Sequence, residues 1–99
     1  MIRARVSVVR DGLQLKMRGH ATGDPIVCAG ASGIVWALAG WLHNHKETEA
    51  TISLRAGDAF IQSNRTPEAE TAFDVATVGL LQLEKKCPEL IRVEQEVSV

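Results

Sequence analysis

The stretch PIVCAGASGIVWALAGWL, from Pro25 to Leu42, decides the fold of this chain because it carries no charged residue over 18 positions. An uncharged segment of this length lies at the lower edge of what spans a membrane. Much of it, however, is glycine, alanine, serine and cysteine, and the segments on either side have the pattern of half-buried strands. We therefore interpret it as the core helix of a small domain and expect no membrane association.

The helix that contains this stretch has a recognisable beginning. Asp24 precedes Pro25, and an aspartate N-cap followed by proline at the first helical position is a typical helix start. We expect the helix to continue to about His45. Small residues such as Ala29 and Gly33 let another backbone approach closely, and the partner could be the sheet, the other helix or a second subunit.

The segment before the helix has the two-residue alternation of a sheet with one covered face. Asp11-Gly12 interrupts the alternation and predicts a tight hairpin turn, since glycine tolerates positive φ. The chain is therefore expected to open with an antiparallel hairpin. The residues predicted to face the core are Ile2, Ala4, Val6, Val8, Leu13, Leu15 and Met17.

The segment after the helix predicts four further elements, which are two strands of a hairpin, a helix and a last strand. Residues 50–63 form a second hairpin that turns at Gly57-Asp58, and Thr66-Pro67 starts a second helix that ends at Cys87-Pro88. Residues 90–97 alternate as a last strand. The order ββαββαβ implies an α+β fold, in which two helices pack against one mostly antiparallel sheet.

Composition limits the classes of function. The 99 residues make one domain, residues 1–99, and the net charge of −1 with a pI near 6.3 does not favour a direct nucleic-acid partner. Basic residues do cluster in the first twenty positions, which gives one basic face that is either an ordinary solvated strand face or a surface that could attract an acidic partner. They are Arg3, Arg5, Arg10, Lys16 and Arg18.

The beginning of the chain and its cysteines indicate a compartment. MIRARV has charges where a signal peptide needs an apolar segment, so we expect a cytoplasmic protein. Two cysteines without a framework of spacings fit a reduced chain better than a disulfide scaffold. A Cys28–Cys87 bridge remains the alternative.

The segment GHATGDPIVCAGASG, residues 19–33, carries the residues best suited to chemistry. Cys28 falls in the first turn of the predicted helix, where free N–H groups and the helix dipole favour thiolate over thiol. His20 lies at the end of the preceding strand and could act as general base and then general acid. The N–H groups of Val27, Cys28 and Ala29 are candidate oxyanion donors. The alternative is that Cys28 is an inert packing thiol.

The other polar residues are weaker candidates for catalysis, substrate binding or metal binding. Ser32 follows Cys28 by one helical turn and could touch a bound peptide or bond back to a helix carbonyl. His43 and His45 point away from each other on a helix and have no third ligand nearby, so no metal is expected, and no cofactor is implied. Trp36 and Trp41 are expected in the core rather than at an interface.

These residues resemble a family signature. Gly19-His20-Ala21, then Asp24, Ile26-Val27-Cys28-Ala29 and Ser32, are similar to the motif of the bacterial ribosomal-processing cysteine proteases known as Prp. The element order and length of nearly the whole chain match that family's small α+β fold. The resemblance implies that His20 is the base and Cys28 the nucleophile. It also implies a homodimer that removes an N-terminal extension from a large-subunit ribosomal protein precursor.

Two departures from the family pattern keep alternatives open. Seven residues separate His20 from Cys28, whereas the family has a longer loop there that is thought to move on substrate binding. Pro25 also places Asp24 one position further from the cysteine, where it could cap the helix or orient His20. The alternatives are the same fold acting on a phage structural protein, as relatives do, and a non-catalytic ribosome-associated binding module.

Overall fold

A computed structural model describes residues 1–45 and 49–97 of the chain. It has the order ββαββαβ, which confirms the predicted α+β fold. The elements are β1 (Ile2–Val9), β2 (Gly12–Arg18), α1 (Pro25–Asn44), β3 (Ala50–Arg55), β4 (Asp58–Ser63), α2 (Pro67–Lys86) and β5 (Ile91–Val97).

The five strands form one sheet in the order β3-β4-β2-β1-β5. All neighbouring pairs are antiparallel except β1 and β5, which are parallel and place Ile2 opposite Ile91. Both helices lie on the same face of the sheet, where the inward residues of the strands are buried. The outward residues are mostly charged or polar and leave the other face uncovered. Among the buried strand residues are Ile2, Ala4, Leu13, Leu15, Ile61 and Ile91.

Both hairpin turns lie one residue earlier than predicted. Val9 pairs with Gly12, so Arg10-Asp11 form the first turn, and Gly12 does not have the positive φ for which the sequence suggested it. A side chain at Gly12 would instead lie 2.3 Å from the carbonyl oxygen of Ser63. Glycine is therefore required there by the close approach of β4 rather than by the turn.

Both helices begin as the sequence predicts. The Asp24 carboxylate accepts a hydrogen bond from the Val27 N–H at 3.1 Å, and the Thr66 hydroxyl accepts one from the Ala69 N–H, also at 3.1 Å. Proline follows each N-cap. Each side chain satisfies an N–H that the first turn of a helix leaves without an intrahelical partner.

The apolar helix α1 is covered on one side only. By length and apolar composition alone it could span a membrane, but one face packs on the sheet and on α2. Trp36 is 67% exposed, so its assignment to the core was wrong, while Trp41 is half-buried. The small residues allow α1 to approach α2 closely: Leu83 lies 3.4 Å from the position of an added Cβ at Gly30.

Candidate active site

A cavity of about 330 Å³ opens where β2 ends, α1 begins and the β3–β4 hairpin turns. The cavity is lined by Ile2 of β1, the end of β2, the N-terminal part of α1 and the distant β3–β4 hairpin. His20 and Cys28 are both on its wall, together with Ser32, Trp36 and residues 54–59 of the hairpin. The fold therefore brings the two predicted reactive residues to one solvent-accessible site.

Cys28 occupies the first turn of α1, and its side chain is half-buried. Its Sγ accepts a hydrogen bond from the Ala21 N–H at 3.2 Å, and the thiol donates one to the Ala21 carbonyl oxygen at 3.7 Å. A backbone N–H directed at sulfur stabilises negative charge on it, as does the dipole at the start of a helix. The Ala21 backbone gives the sulfur one donor and one acceptor.

His20 is exposed, and the β3–β4 turn limits where its ring can lie. Gly57 has φ +73, and an added Cβ there would be 2.4 Å from the His20 Nε2. The backbone is fixed as well, since the Gly19 N–H donates to the Gly57 carbonyl at 3.0 Å and the Met1 ammonium donates to the His20 carbonyl at 2.8 Å.

Gly19 explains how His20 reaches the cavity. Continued strand alternation would place His20 on the polar face of the sheet with Lys16 and Arg18. Gly19 instead has φ +96 and ends the strand, so the chain turns away from the sheet direction at this point. Within the described residues, the thiol of Cys28 is bonded to the backbone of Ala21 and not to the His20 ring.

Asp24, the N-cap of α1, accepts hydrogen bonds from two of the three N–H groups that the sequence predicted as oxyanion donors. Asp24 caps α1, and its carboxylate takes the Val27 N–H, while its carbonyl accepts the Cys28 N–H at 3.3 Å. Ala29 is one residue further into the helix, where N–H groups belong to the intrahelical ladder. In the resting helix the N–H groups of Val27 and Cys28 thus already have acceptors within the first turn, and their role as oxyanion donors stays a prediction. The sequence did not indicate the N–H that the structure directs at sulfur, which is that of Ala21.

Comparison with known proteins decides the family. The family model described as cysteine protease Prp matches residues 1–92. The chain belongs to this family of cysteine proteases. A search of curated proteins found no match.

Solved structures agree with this assignment. An essential ribosomal processing protease Prp from S. aureus, with a covalently linked product peptide, is 26% identical with a TM-score of 0.83 and covers 96% of this chain and 99% of its own. The same protease with a substrate peptide is 25% identical, with the same TM-score and coverage. SMU.848 from Streptococcus mutans, at 20% identity and TM-score 0.78, covers 98% of this chain and 95% of its own and shares the fold.

The remaining candidates fall outside the centre of the site or at its margin. Ser32 is exposed on the cavity wall, one turn after Cys28. The His45 ring stacks on Trp41 with centroids 3.7 Å apart, and no group of three metal-ligating side chains occurs among the described residues. Cys87 caps the end of α2, and both it and Cys28 are free thiols.

Sequence reasoning missed the wall that the β3–β4 hairpin and Trp36 provide. Leu54 and Trp36 expose large apolar surface at the cavity, and Arg55 and Asp58 add charge. Leu54, Arg55 and Asp58 lie 26 to 38 positions after Cys28 or His20, and only the β2–β4 pairing brings the hairpin to the site. A signal was present in Gly57, whose positive φ fixes the turn, but its contact with His20 was not readable from spacing.

Proposed function

We propose that this chain is a cytoplasmic cysteine endopeptidase that removes an N-terminal extension from a large-subunit ribosomal protein precursor by means of a Cys28–His20 dyad. The observation that carries the proposal is the placement of both side chains on one cavity, with Cys28 in the first turn of α1. Membership of a cysteine protease family supports it. The same membership counts against a purely non-catalytic binding module.

The chemistry follows from the two side chains. His20 accepts the thiol proton, and the Cys28 thiolate attacks the scissile carbonyl carbon to form a tetrahedral adduct. As the adduct collapses, the C–N bond breaks and the imidazolium protonates the leaving amine. Water, deprotonated by His20, then hydrolyses the thioester, so the cysteine returns to its starting form and no cofactor is consumed.

The backbone of Ala21 is the group best placed to hold the developing oxyanion. Its N–H already lies 3.2 Å from the sulfur, and the carbonyl oxygen of a bound substrate would lie near that sulfur during attack. The N–H can then pass from the thiolate to the oxyanion as charge moves from one to the other. His20 must leave the Gly57 side of the cavity to meet the sulfur, and such tightening in the substrate complex is common in proteases.

The walls of the cavity suit an extended peptide. β3 is an edge strand whose outer side has no neighbour in the described sheet, so a substrate can pair with it as an added strand. Trp36 and Leu54 offer apolar surface for substrate side chains near the scissile bond, and Ser32 is within the same wall. The S. aureus relative whose structures hold a product or a substrate peptide supports a protein substrate here.

The ribosomal target and the homodimer belong to the proposal as well. The S. aureus relative is described as a ribosomal processing protease, which supports a ribosomal protein precursor as substrate. An apolar groove of about 660 Å³ runs between α1 and α2, and the exposed Val75 lies along it. Exposed apolar surface of this kind is typical of subunit interfaces, and we place the dimer contact there.

A second candidate substrate is a phage structural protein. The loop of seven residues between His20 and Cys28 supports it, because a shorter loop leaves a more open site than the longer loop of the family. The same dyad and the same chemistry would apply.

The proposed function is tested by incubating the full chain with ribosomal protein precursors that carry N-terminal extensions and reading the products by intact-mass spectrometry. We expect one cut that releases the extension, and loss of that cut by roughly three orders of magnitude or more in Cys28→Ala. Cys87→Ala is the matched control and should cleave normally. A precursor left intact by the natural sequence, but cut when it is a phage structural protein, would favour the second candidate.

A further inference from the structure

The uncovered face of the sheet carries a line of charges that the protease mechanism does not use. The strand registers place Arg92 of β5, Arg3 of β1, Arg18 of β2, Asp58 of β4 and Arg55 of β3 side by side. All five side chains are exposed. We call this line the arginine row. It crosses the whole sheet, a width of about 19 Å for four steps of ~4.8 Å.

The arginine row is unfavourable for folding alone. Arg3 lies opposite Arg18 on one side and Arg92 on the other, and like charges directly opposite in a sheet are destabilising. Arg18 has an ion pair with Asp58 at 3.5 Å, with a side chain that is 80% exposed. In the part of the chain that the structure describes, Arg3 and Arg92 have no carboxylate within ion-pair distance. An anionic partner would remove this repulsion.

The charge is concentrated at the end of the sheet that bears the cavity. The next row contains Arg5 and Lys16, and Arg5 is bound to Glu94 at 3.1 Å. The row after that runs through Ser7 and Gln14 and contains no cation. At the β3 end of the arginine row, Arg55 and Asp58 also line the cavity that contains His20 and Cys28.

An aromatic ring lies beside the cations. The Nζ of Lys16 on β2 lies over the Phe60 ring, 5.8 Å from its centroid. Phe60 is on the same face of β4 as Asp58. Phe60 is half-buried and presents part of its ring on the open sheet. Cations beside a partly exposed aromatic ring are the combination that binds single-stranded nucleic acid, through phosphate contacts and base stacking. An acidic peptide would use the charges but not the ring.

We propose that the arginine row binds the phosphate backbone of a single-stranded RNA segment. Guanidinium groups match phosphate oxygens in bidentate geometry, and four of them are spaced across the sheet. The proposal revises the expectation drawn from the net charge of −1, because that sum averages over both sides of the molecule. Four of the carboxylates are on α2, behind the sheet, namely Glu68, Glu70, Asp74 and Glu84.

Because the arginine row ends at the cavity, bound RNA would help to bring a substrate to Cys28. This part of the inference rests on the proposed function. RNA held along the row would reach the cavity through Arg55. A ribosomal protein bound to that RNA would then present its extension next to Cys28. Recognition would be shared between the peptide and the RNA that accompanies it.

The test measures binding of the full chain to a fluorescent 12-nucleotide oligouridylate by anisotropy. Four phosphate contacts on a single strand give an expected slope of about −2 to −3 for log K against log salt concentration. The double variant Arg3→Gln/Arg92→Gln should weaken binding roughly tenfold or more. Lys85→Gln/Lys86→Gln removes the same charge from the exposed end of α2 and should change it less than about twofold.

Three results would overturn the proposal. They are no binding at low salt, equal weakening by the two double variants, and equally effective competition by polyglutamate, which would indicate an acidic protein partner. The midpoint of thermal unfolding of Arg3→Gln/Arg92→Gln should not fall, since the change removes repulsion, and a fall would show that the opposed arginines do not destabilise the sheet. Cleavage of a free peptide should be unchanged in both double variants. If neither the natural sequence nor the variants cleave the peptide, but the natural sequence still binds RNA, the proposed function fails and the RNA site stands.

Discussion

At Cys28 two features of the backbone act on one sulfur. The start of α1 supplies a favourable dipole, and the Ala21 N–H points at Sγ from the end of the loop that follows β2. Cys87 lies at the other end of a helix, as the C-cap of α2. The dipole there has the opposite sign and disfavours an anion. The two free thiols of the chain therefore differ in environment while both are half-buried.

This contrast predicts different reactivity of the two thiols toward iodoacetamide. The thiolate is the reacting species, so Cys28 should label roughly ten or more times faster than Cys87 at about pH 6. Peptide mapping by mass spectrometry measures the two rates in the same sample. His20→Ala should keep most of that advantage, because the backbone of Ala21 and the start of α1, rather than the His20 ring, act on the sulfur, and it should leave the Cys87 rate unchanged. Slow labelling of both cysteines would mean that the resting thiol is not activated.

At the scale of the element, the two N-caps are matched in geometry but not in position. Asp24 and Thr66 each accept one N–H at 3.1 Å and are each followed by proline. Only the Asp24 cap holds the turn that carries Cys28. Comparing substitutions at Asp24 and Thr66 therefore distinguishes a loss of helix stability from a change in the position of Cys28.

We expect Asp24→Ala and Thr66→Ala each to lower the free energy of unfolding by about 1 kcal/mol, measured in urea. Asp24→Ala should in addition lower the rate of peptide cleavage several-fold, because the turn around Cys28 loses its anchor. Thr66→Ala should leave that rate near normal. Equal rates in the two variants would show that the cap at Asp24 has no part in catalysis.

The elements themselves were predictable from the sequence. Alternation in β1 and β2 and the Asp24-Pro25 and Thr66-Pro67 pairs are local signals, and the structure agrees with them. What depends on distant strands was not predictable. Gly12 is required by the Ser63 carbonyl, and Trp36 is exposed because α1 has only one covered side.

The candidate site divides in the same way. His20 and Cys28 could be chosen because they flank a helix start with a known motif, and the cavity contains both. The backbone partner of the sulfur could not, since the Ala21 N–H is directed to Sγ by the turn of the chain at Gly19. Periodicity carries no information about such a turn.

At the scale of the whole molecule, the apolar groove between the helices sets the expected assembly. Val75 lies along it and is exposed, although a valine gains nothing from contact with water. Gln82 is exposed on the same helix but is not part of the groove. The proposed dimer should therefore depend on Val75 and not on Gln82.

Val75→Glu should raise the dissociation constant of the dimer roughly tenfold or more, because it buries a charge in an apolar interface. Sedimentation equilibrium would then show the mass of one 10.7 kDa chain at concentrations where the natural sequence shows twice that mass. Gln82→Glu introduces the same charge and should leave the dimer intact. Dissociation by both variants, or by neither, would place the subunit contact elsewhere.

The parallel pairing of β1 with β5 governs the order of events while the chain is being made. The Ile2 N–H donates to the Leu90 carbonyl at 2.8 Å, and Met1 in turn holds the His20 carbonyl. Closing this contact joins segments from opposite ends of the sequence, which is slow because the intervening loop is long. His20 and Cys28 are synthesised early. The segment that contacts His20, Met1 with β1, gains its β5 neighbour only after β5 has been synthesised. The candidate site of an enzyme proposed to act on a ribosomal protein is thus complete only after β5 has been synthesised and has paired with β1.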